Sequence, residues 1–423
     1  MKFKKVMCLC IFALALCAHN IFAQDTIKIT IQQAETQFLE RNLQLLAERC
    51  NIDVEKANLL QAKLFNNPTF SAGINIYNPE NRRWFDVGKN SGQYVFAIEQ
   101  VIRLGGQRNK EIALAKIDVQ LSENQFYDLL RTLRFSLGST FYEAYFTYRS
   151  LCAFDAQIAL LEELENHYKE LKNRGVVPLS DLVRIQSLLY GLRSDKLELQ
   201  TAFNDLQAQL QLLLQDNQFV FMPEIDSTLL SFENLTGLGS LIKAALENRI
   251  DLKTAKDELA WQQKKVSLEK ANAVPNITLG ADFDRRSGAF DNQFSLNVGI
   301  DLLLFNRNKG NINAAKAIVK QKETLVQLKQ TEIENEVLKS YANALDADRA
   351  SSLIDADFEQ NLQLLLQSIT DNFRKKNISM LEFTDFYESY RDNIIKINQI
   401  KNKKAQTMQE LQFVVGIDFN FKN

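Results

Sequence analysis

Residues 107–174 read QRNKEIALAKIDVQLSENQFYDLLRTLRFSLGSTFYEAYFTYRSLCAFDAQIALLEELENHYKELKNR, 68 residues with no proline and one glycine, Gly138. Apolar side chains return every three or four positions, at Leu133, Leu137, Phe141, Ala144, Tyr148 and Leu151, which is the period of an α-helix. A periodic run of this length belongs to a coiled coil or a helical array rather than to an ordinary globular helix. At 1.5 Å per residue it reaches roughly 100 Å. A second stretch, Asn308 to Lys375, also lacks proline and holds only Gly310 near its start. The expectation is two very long helices, and a protein that must span a distance.

Upstream, Thr30 to Leu64 has helical spacing, with Ala34, Phe38, Leu45, Ile52 and Leu59, and stops at Asn66-Asn67-Pro68, where proline ends a helix. The period then falls to two. Phe70, Ala72, Ile74 and Ile76 alternate with Ser71, Gly73, Asn75 and Tyr77, and beyond a polar loop, Asn78 to Ser91, Tyr94, Phe96 and Ile98 alternate with Val95, Ala97 and Glu99. These are two strands. About 207 residues downstream the pattern returns: Glu40-Arg41-Asn42-Leu43-Gln44-Leu45 is echoed by Glu247-Asn248-Arg249-Ile250-Asp251-Leu252, and Pro68 by Pro275. Ile277, Leu279, Ala281 and Phe283 form a third alternating run and Phe294, Leu296, Val298 and Ile300 a fourth, with a turn at Arg285 to Asn292 that contains Ser287-Gly288.

Return helices, Leu179–Leu214 and Leu381–Val415, follow matching breaks at Arg174-Gly175-Val176-Val177-Pro178 and Lys376-Asn377-Ile378-Ser379-Met380. Gly175 and Asn377 are the expected left-handed caps of two antiparallel helical hairpins. The chain therefore divides into a leader (1–23), a first repeat (24–215), a connector running over the surface (216–238) and a second repeat (239–423), each repeat being helix, β-hairpin, long helix and return helix.

The leader has Lys2, Lys4 and Lys5, an apolar run from Val6 to Leu16 and a small-residue exit at Ala23, the pattern of a secretory signal peptide. Cys17 raises a lipid-anchor alternative, against which stands the bulky Leu16 before it. Net charge is −2, with 24% charged residues, so no electrostatic excess points to nucleic acid. Past the leader there remain one histidine, His167, and two cysteines, Cys50 and Cys152, about a hundred residues apart. A disulfide framework is excluded, two buried thiols are expected, and neither a histidine metal site nor a Ser-His-Asp triad can be assembled. No GxxxxGK[ST] loop occurs. The expectation is no enzyme, no cofactor and no resident metal.

Two isolated hairpins are marginal in water and need a partner sheet. Their strands, about nine to eleven residues, have the length that crosses a bilayer as tilted β-structure. No apolar run of 18 residues follows the leader, so spanning helices are excluded, and four strands cannot close alone. A barrel would have to be shared between subunits. Half-buried sheets of a soluble protein alternate in the same way. Trp84-Phe85 fit either interfacial anchors or ordinary loop aromatics.

In its order of elements the whole chain past the leader resembles the TolC-type outer-membrane efflux family. Leu104-Gly105-Gly106-Gln107-Arg108 and Leu304-Phe305-Asn306-Arg307-Asn308-Lys309-Gly310 are similar to the family's strand-to-helix junctions, in the flavour of its cobalt-zinc-cadmium resistance branch, and the turns at Arg174 to Asp181 and Asn377 to Phe383 are similar to its helical tips. The resemblance implies a mainly α chain with a small membrane β part: a homotrimer with a 12-stranded barrel in outer-membrane lipid and a helical tunnel through the periplasm. It implies that Arg174, Gly175, Val176, Val177, Pro178, Asn377, Ile378, Ser379 and Met380 form periplasmic tips. Those tips would meet a membrane-fusion adaptor beneath a resistance-nodulation-division pump, or an ABC exporter. The second tip of the family commonly carries glycine, and Asn377 is a departure from it.

The function expected is a passive exit duct of a tripartite efflux system for drugs or metal cations. A duct for type I protein secretion needs the same channel, and a secreted coiled-coil scaffold without a pore is the alternative of a different class. Asp181, Glu382 and Asp385, at the start of the return helices, are candidate gate residues, because a ring of carboxylates in a narrow lumen favours cations. Acidic groups in a first helical turn also simply complement the dipole.

Overall fold

The computed structural model describes residues 25–79, 82–88, 91–225, 237–286, 289–354 and 357–417. The expected leader, Cys17 and the pair Ser287-Gly288 lie outside them. The first half comprises β1 (Asp25–Thr30), α1 (Ile31–Arg41), α2 (Leu43–Ala62), β2 (Thr69–Ile74), β3 (Tyr77–Asn78), β4 (Arg83–Trp84), β5 (Gln93–Ile102), α3 (Gln107–Asn173), α4 (Leu179–Leu214) and β6 (Phe219–Glu224). The second comprises α5 (Leu238–Asn248), α6 (Ile250–Ala271), β7 (Ile277–Arg286), β8 (Phe290–Ile300), α7 (Lys309–Ser352), α8 (Phe358–Arg374) and α9 (Met380–Val415). The helix expected from Gln107 is present as one uninterrupted element of 67 residues.

Four expectations change. The helix expected over Thr30 to Leu64 starts after a strand. Thr30 closes a capping box with Gln33, whose amide oxygen accepts from the Thr30 backbone N–H at 3.0 Å, the reciprocal arrangement that fixes a helix start. The helix then breaks at Asn42, which takes φ −64° and ψ 115°, and its echo Arg249 does the same at φ −68° and ψ 123°. The second long helix is interrupted after Ser352. The Ser352 hydroxyl donates to the Arg349 carbonyl at 2.9 Å, and residues of this kind compete with the helical ladder. The connector is not a bare surface loop: β6 pairs in parallel with β1, Asp25 opposite Phe219 through to Thr30 opposite Glu224. Gln207 of α4 clamps that strand, donating to the Phe221 carbonyl at 2.7 Å and accepting its N–H at 2.8 Å. Lastly, Cys50 and Cys152 are both exposed thiols.

The chain divides into two compact units. One gathers Leu133–Leu235, Ala342–Glu410 and the residues up to Leu43. Its core joins Phe154, Leu161, Leu164 and Tyr168 of α3 to Leu182, Ile185, Leu189 and Leu192 of α4, Phe373 of α8, and Phe383 and Tyr387 of α9. An aromatic ladder runs through it, with ring centroids 5.2 Å apart from Tyr168 to Phe373, 4.3 Å from Phe373 to Phe383 and 5.8 Å from Phe383 to Tyr387; the first and last lie in the range in which aromatic pairs attract beyond their burial, and the middle pair is a closer stack.

The other unit gathers Gln44–Thr132, Thr236–Tyr341 and the residues from Leu411. It contains a four-stranded antiparallel sheet in the order β2-β5-β7-β8. The two hairpins are thus each other's partner: Gln93 to Ile102 of β5 lies against Arg286 to Ile277 of β7. The strands are joined to the helices by residues in the left-handed region, Gly105 (φ 68°), Gly106 (φ 69°) and Asn308 (φ 55°). Asn308 Nδ2 is fixed there by the Glu269 carbonyl at 2.8 Å and the Glu269 carboxylate at 2.7 Å.

Candidate functional site

The sheet has two chemically opposite faces because side chains alternate along each strand. A row through the register, Phe70 opposite Ile98, Ile98 opposite Ala281 and Ala281 opposite Leu296, lies on one face. With it go Ala72, Ile74, Tyr94, Phe96, Ile102, Ile277, Leu279, Phe283, Phe294, Val298 and Ile300. Phe294, Leu296 and Val298 are strongly exposed, Leu296 at 87%. Across the sheet, Ser71, Gln93, Glu99, Thr278, Asp282, Asp284, Ser295 and Asn297 occupy the other face by the same register. Gln93 Nε2 donates to both carboxylate oxygens of Asp284 at 3.0 Å, and Asn297 donates to Asp282. Contiguous exposed apolar area on this scale marks an interaction surface, and the polar face opposite is tied by hydrogen bonds suited to water. At the loop end, Trp84 and Phe85 are exposed, with the Trp84 ring 5.1 Å from that of Tyr77.

Arg249 is the other built site of this unit. It is 4% exposed. Its Nε and Nη2 hold the two oxygens of Asp251 at 3.0 and 2.6 Å, while Nη1 donates to Glu336 and, at 3.3 Å, to the Val414 carbonyl near the end of α9. Burial pushes the Asp251 carboxyl up, and the bidentate guanidinium contact outweighs it, so Asp251 lies below its usual range. In the other repeat Asn42, at the equivalent position, donates to the Leu213 carbonyl near the end of α4 at 3.1 Å. One motif thus clasps a helix C-terminus in each repeat, where the dipole favours a donor or a cation. Among the described residues no three His, Cys, Asp or Glu side chains gather as metal ligands.

The two helical turns belong to the other unit, and a single core cluster contains residues flanking both. At the first turn Gly175 has φ 73°. Its N–H donates to the Lys172 carbonyl at 2.9 Å and the Val176 N–H to that of Leu171 at 2.9 Å, the paired bonds of a Schellman cap. At the second, the same two bonds run from Lys376 to Phe373 at 3.0 Å and from Asn377 to Asn372 at 2.8 Å. The left-handed residue there is Lys376, at φ 60°, not Asn377. Asn377 therefore corresponds to Val176, Ile378 to Val177 and Ser379 to Pro178. A non-glycine residue in this region is strained by about 1–2 kcal/mol, partly offset by the greater freedom of glycine in the unfolded chain. Lys376→Gly should stabilise the turn by about 1 kcal/mol and raise the thermal midpoint, and Gly175→Ala should lower it.

Val177 and Ile378 pack against the core and Met380 is buried in it, which leaves half-exposed Val176, beside exposed Arg174 and Pro178, and the adjoining Leu179 and Leu381 as the apolar side chains of the turns open to a partner. Pro178 caps α4. Ser379 and Glu382 form a capping box: the Ser379 N–H donates to the Glu382 carboxylate at 2.7 Å, and the Glu382 N–H to the Ser379 hydroxyl at 3.2 Å. That backbone donor holds the Glu382 pKa below the usual carboxylate value. Asp181 is half-buried in the first turn of α4 and Asp385 is exposed on α9. The turns are legible in the sequence, whereas the Arg249 clasp shows there only as the repeated motif around Asn42.

Residues 241–416 match the family model described as outer membrane efflux protein. No curated protein sequence matches the chain. Among solved structures, CusC, whose crystal structures concern folding and transmembrane channel formation, superposes with a TM-score of 0.75 at 14% identity, over 92% of this chain and 92% of that one. The outer membrane protein VceC of Vibrio cholerae gives 0.72 at 14% identity, over 92% of this chain and 97% of that one. The CmeC outer membrane channel of Campylobacter jejuni gives 0.73 at 16%, over 91% and 85%. The resemblance to the TolC-type family stands: the second repeat carries its sequence pattern, and the fold of the chain is that of its channels.

Proposed function

We infer that this chain, with an outer membrane efflux protein sequence in its second repeat and the channel fold throughout, is the outer-membrane exit duct of a tripartite efflux system. The observation that carries the inference is the sheet: four antiparallel strands, one face apolar and open, the other polar. In hydrocarbon every backbone donor and acceptor must be paired, so such a sheet persists only within a closed barrel. Three copies supply twelve strands, with the apolar face toward lipid and the Glu99, Asp282 and Asp284 face toward water. The long helices α3 and α7 with their return partners form the periplasmic conduit, and the turns at Gly175 and Lys376 meet the adaptor. Drugs or metal cations handed on by an inner-membrane pump are the cargo class this arrangement serves.

Val176→Asp tests the adaptor contact. The side chain is exposed, so folding and trimers are expected to be retained while efflux falls to the level of the deletion strain; normal drug or metal susceptibility would remove Val176 from the contact. For the gate, Asp385 is the better of the three candidates, since Glu382 is engaged in its capping box. Asp385→Ala is expected to lower cation preference in planar bilayers, and an unchanged reversal potential would exclude it.

A further inference from the structure

We propose that the foot of the sheet is a socket for a second copy of this chain, in which Phe305, with Leu302 and Leu304, seats against Leu64, Phe65, Val101 and Ile102 of the neighbour. The proposal rests on the barrel reading above and deepens it by naming the contact that seals one copy to the next.

The socket is formed where β5 outruns β2. Thr69, the first residue of β2, lies opposite Glu99, whereas Gln100 to Ile102 have β7 on one side and, among the described residues, no strand on the other. A hollow of about 400 Å³ opens there, with Leu64, Phe65, Val101 and Ile102 as its apolar wall and Asn66, Gln100, Arg103 and Arg108 as its polar rim. Its wall is held in place: the Arg108 guanidinium lies 4.0 Å over the Phe65 ring and its Nε donates to the Lys63 carbonyl at 3.1 Å. The hollow is therefore shaped before anything enters it.

The plug stands at the opposite edge of the same sheet. Beyond Ile300 the chain leaves β8 and bends, the Leu304 N–H donating to the Leu302 carbonyl at 2.8 Å. Leu302 and Leu304 are largely exposed and Phe305 is 100% exposed. Large apolar side chains clustered at a sheet edge call for an occupied interface.

Geometry brings plug and socket together between copies. Every neighbouring pair in β2-β5-β7-β8 is antiparallel, so β8 and β2 run in opposite senses, and β8 of one copy can add to β2 of the next and continue the same ladder. The foot of β8 then lies beside the foot of β2. Thr69 is level, through Glu99 and Gly280, with Asn297. Counted on from there in opposite senses, Ile300 stands level with Asn66 and Leu302 with Leu64. A lipid chain is the other apolar occupant this edge could take, and it would leave the socket without a protein partner.

The test uses the full-length protein in outer membranes, with Cys50→Ser and Cys152→Ser to remove the exposed native thiols. Leu64→Cys paired with Phe305→Cys, and separately Ile102→Cys paired with Leu302→Cys so that Phe305 is retained, are oxidised in place. Covalent dimers and trimers on denaturing gels are expected from at least one pair. A control pair level with each other on the facing edges, Ala72→Cys with Phe294→Cys, is bridged by a flexible bismaleimide. If the control is bridged between copies and neither test pair reacts, the socket is overturned and the barrel stands. If none of the three is bridged, the barrel reading falls and the socket with it.

Discussion

Leu296→Arg should abolish assembled channel in the outer membrane, while Ser295→Arg, one residue away, should leave it in place. Leu296 is the most exposed apolar side chain of β8 and lies opposite Ala281, in a row that runs through Ile98 to Phe70. In the proposed barrel that row is midway along the lipid face. A cationic side chain near the bilayer midplane costs about 2–4 kcal/mol in a transmembrane barrel, and the cost is incurred once per copy. Ser295 points to the other face beside Asp282, its register partner, where an added guanidinium meets water and carboxylates. The measurement is the amount of heat-modifiable trimer in outer-membrane fractions. Equal loss for both variants would mean that the faces are assigned wrongly; equal tolerance would mean that the sheet is not in lipid.

The second large effect is expected at Arg249, far from any proposed conduction step. Removing one partner of a buried ion pair costs about 3–5 kcal/mol because the remaining charge is stranded. Arg249→Ala would leave the largely buried Asp251 carboxylate without its bidentate partner and the Val414 carbonyl without this donor, while the half-exposed Glu336 turns to water. A fall in the thermal midpoint of the detergent-solubilised protein is the readout, and Arg249→Lys should recover only part of it, since an ammonium cannot hold Asp251 in bidentate fashion. The equivalent Asn42→Ala removes neutral hydrogen bonds, that to the Leu213 carbonyl among them, each worth about 1 kcal/mol, and strands no charge, so the loss at Asn42 should be the smaller of the two. Acid acts in the same direction. The folded-state pKa of Asp251 is depressed, so its contribution is present above the ordinary carboxylate pKa and is lost as pH falls through the lower, folded value. The clasp should hold at neutral pH and loosen only in strong acid.

Much of this architecture was readable because it rests on local periodicity. The run from Gln107 keeps a 3.6-residue period without a breaker, and the strands around Phe96 and Phe283 keep a period of two, so both types of element are evident from spacing alone. The 207-residue echo placed the halves against each other. What escaped depends on distant partners. β6 contains Pro223 and becomes a strand because β1 lies beside it and Gln207 holds its backbone. The left-handed cap at Lys376 runs against intrinsic preference, since the neighbouring Asn377 is the better former of that conformation, and only the register of the two closing bonds decides it. The core beneath the turns draws in Val177, Ile378 and Met380, a choice between burial and contact that the turn sequences alone leave open.

On the barrel reading, the two outer margins of the four-stranded sheet, to which no further strand is paired among the described residues, also govern the life of the chain before insertion. Until β2 and β8 find other copies, each newly made molecule presents two templates for strand addition and an oily flank. The productive and the ruinous encounters then begin with the same collision. Yield becomes a race whose outcome depends on how fast synthesis outpaces escort and insertion, and overproduction in the cell should convert this protein into insoluble aggregate sooner than it saturates the function.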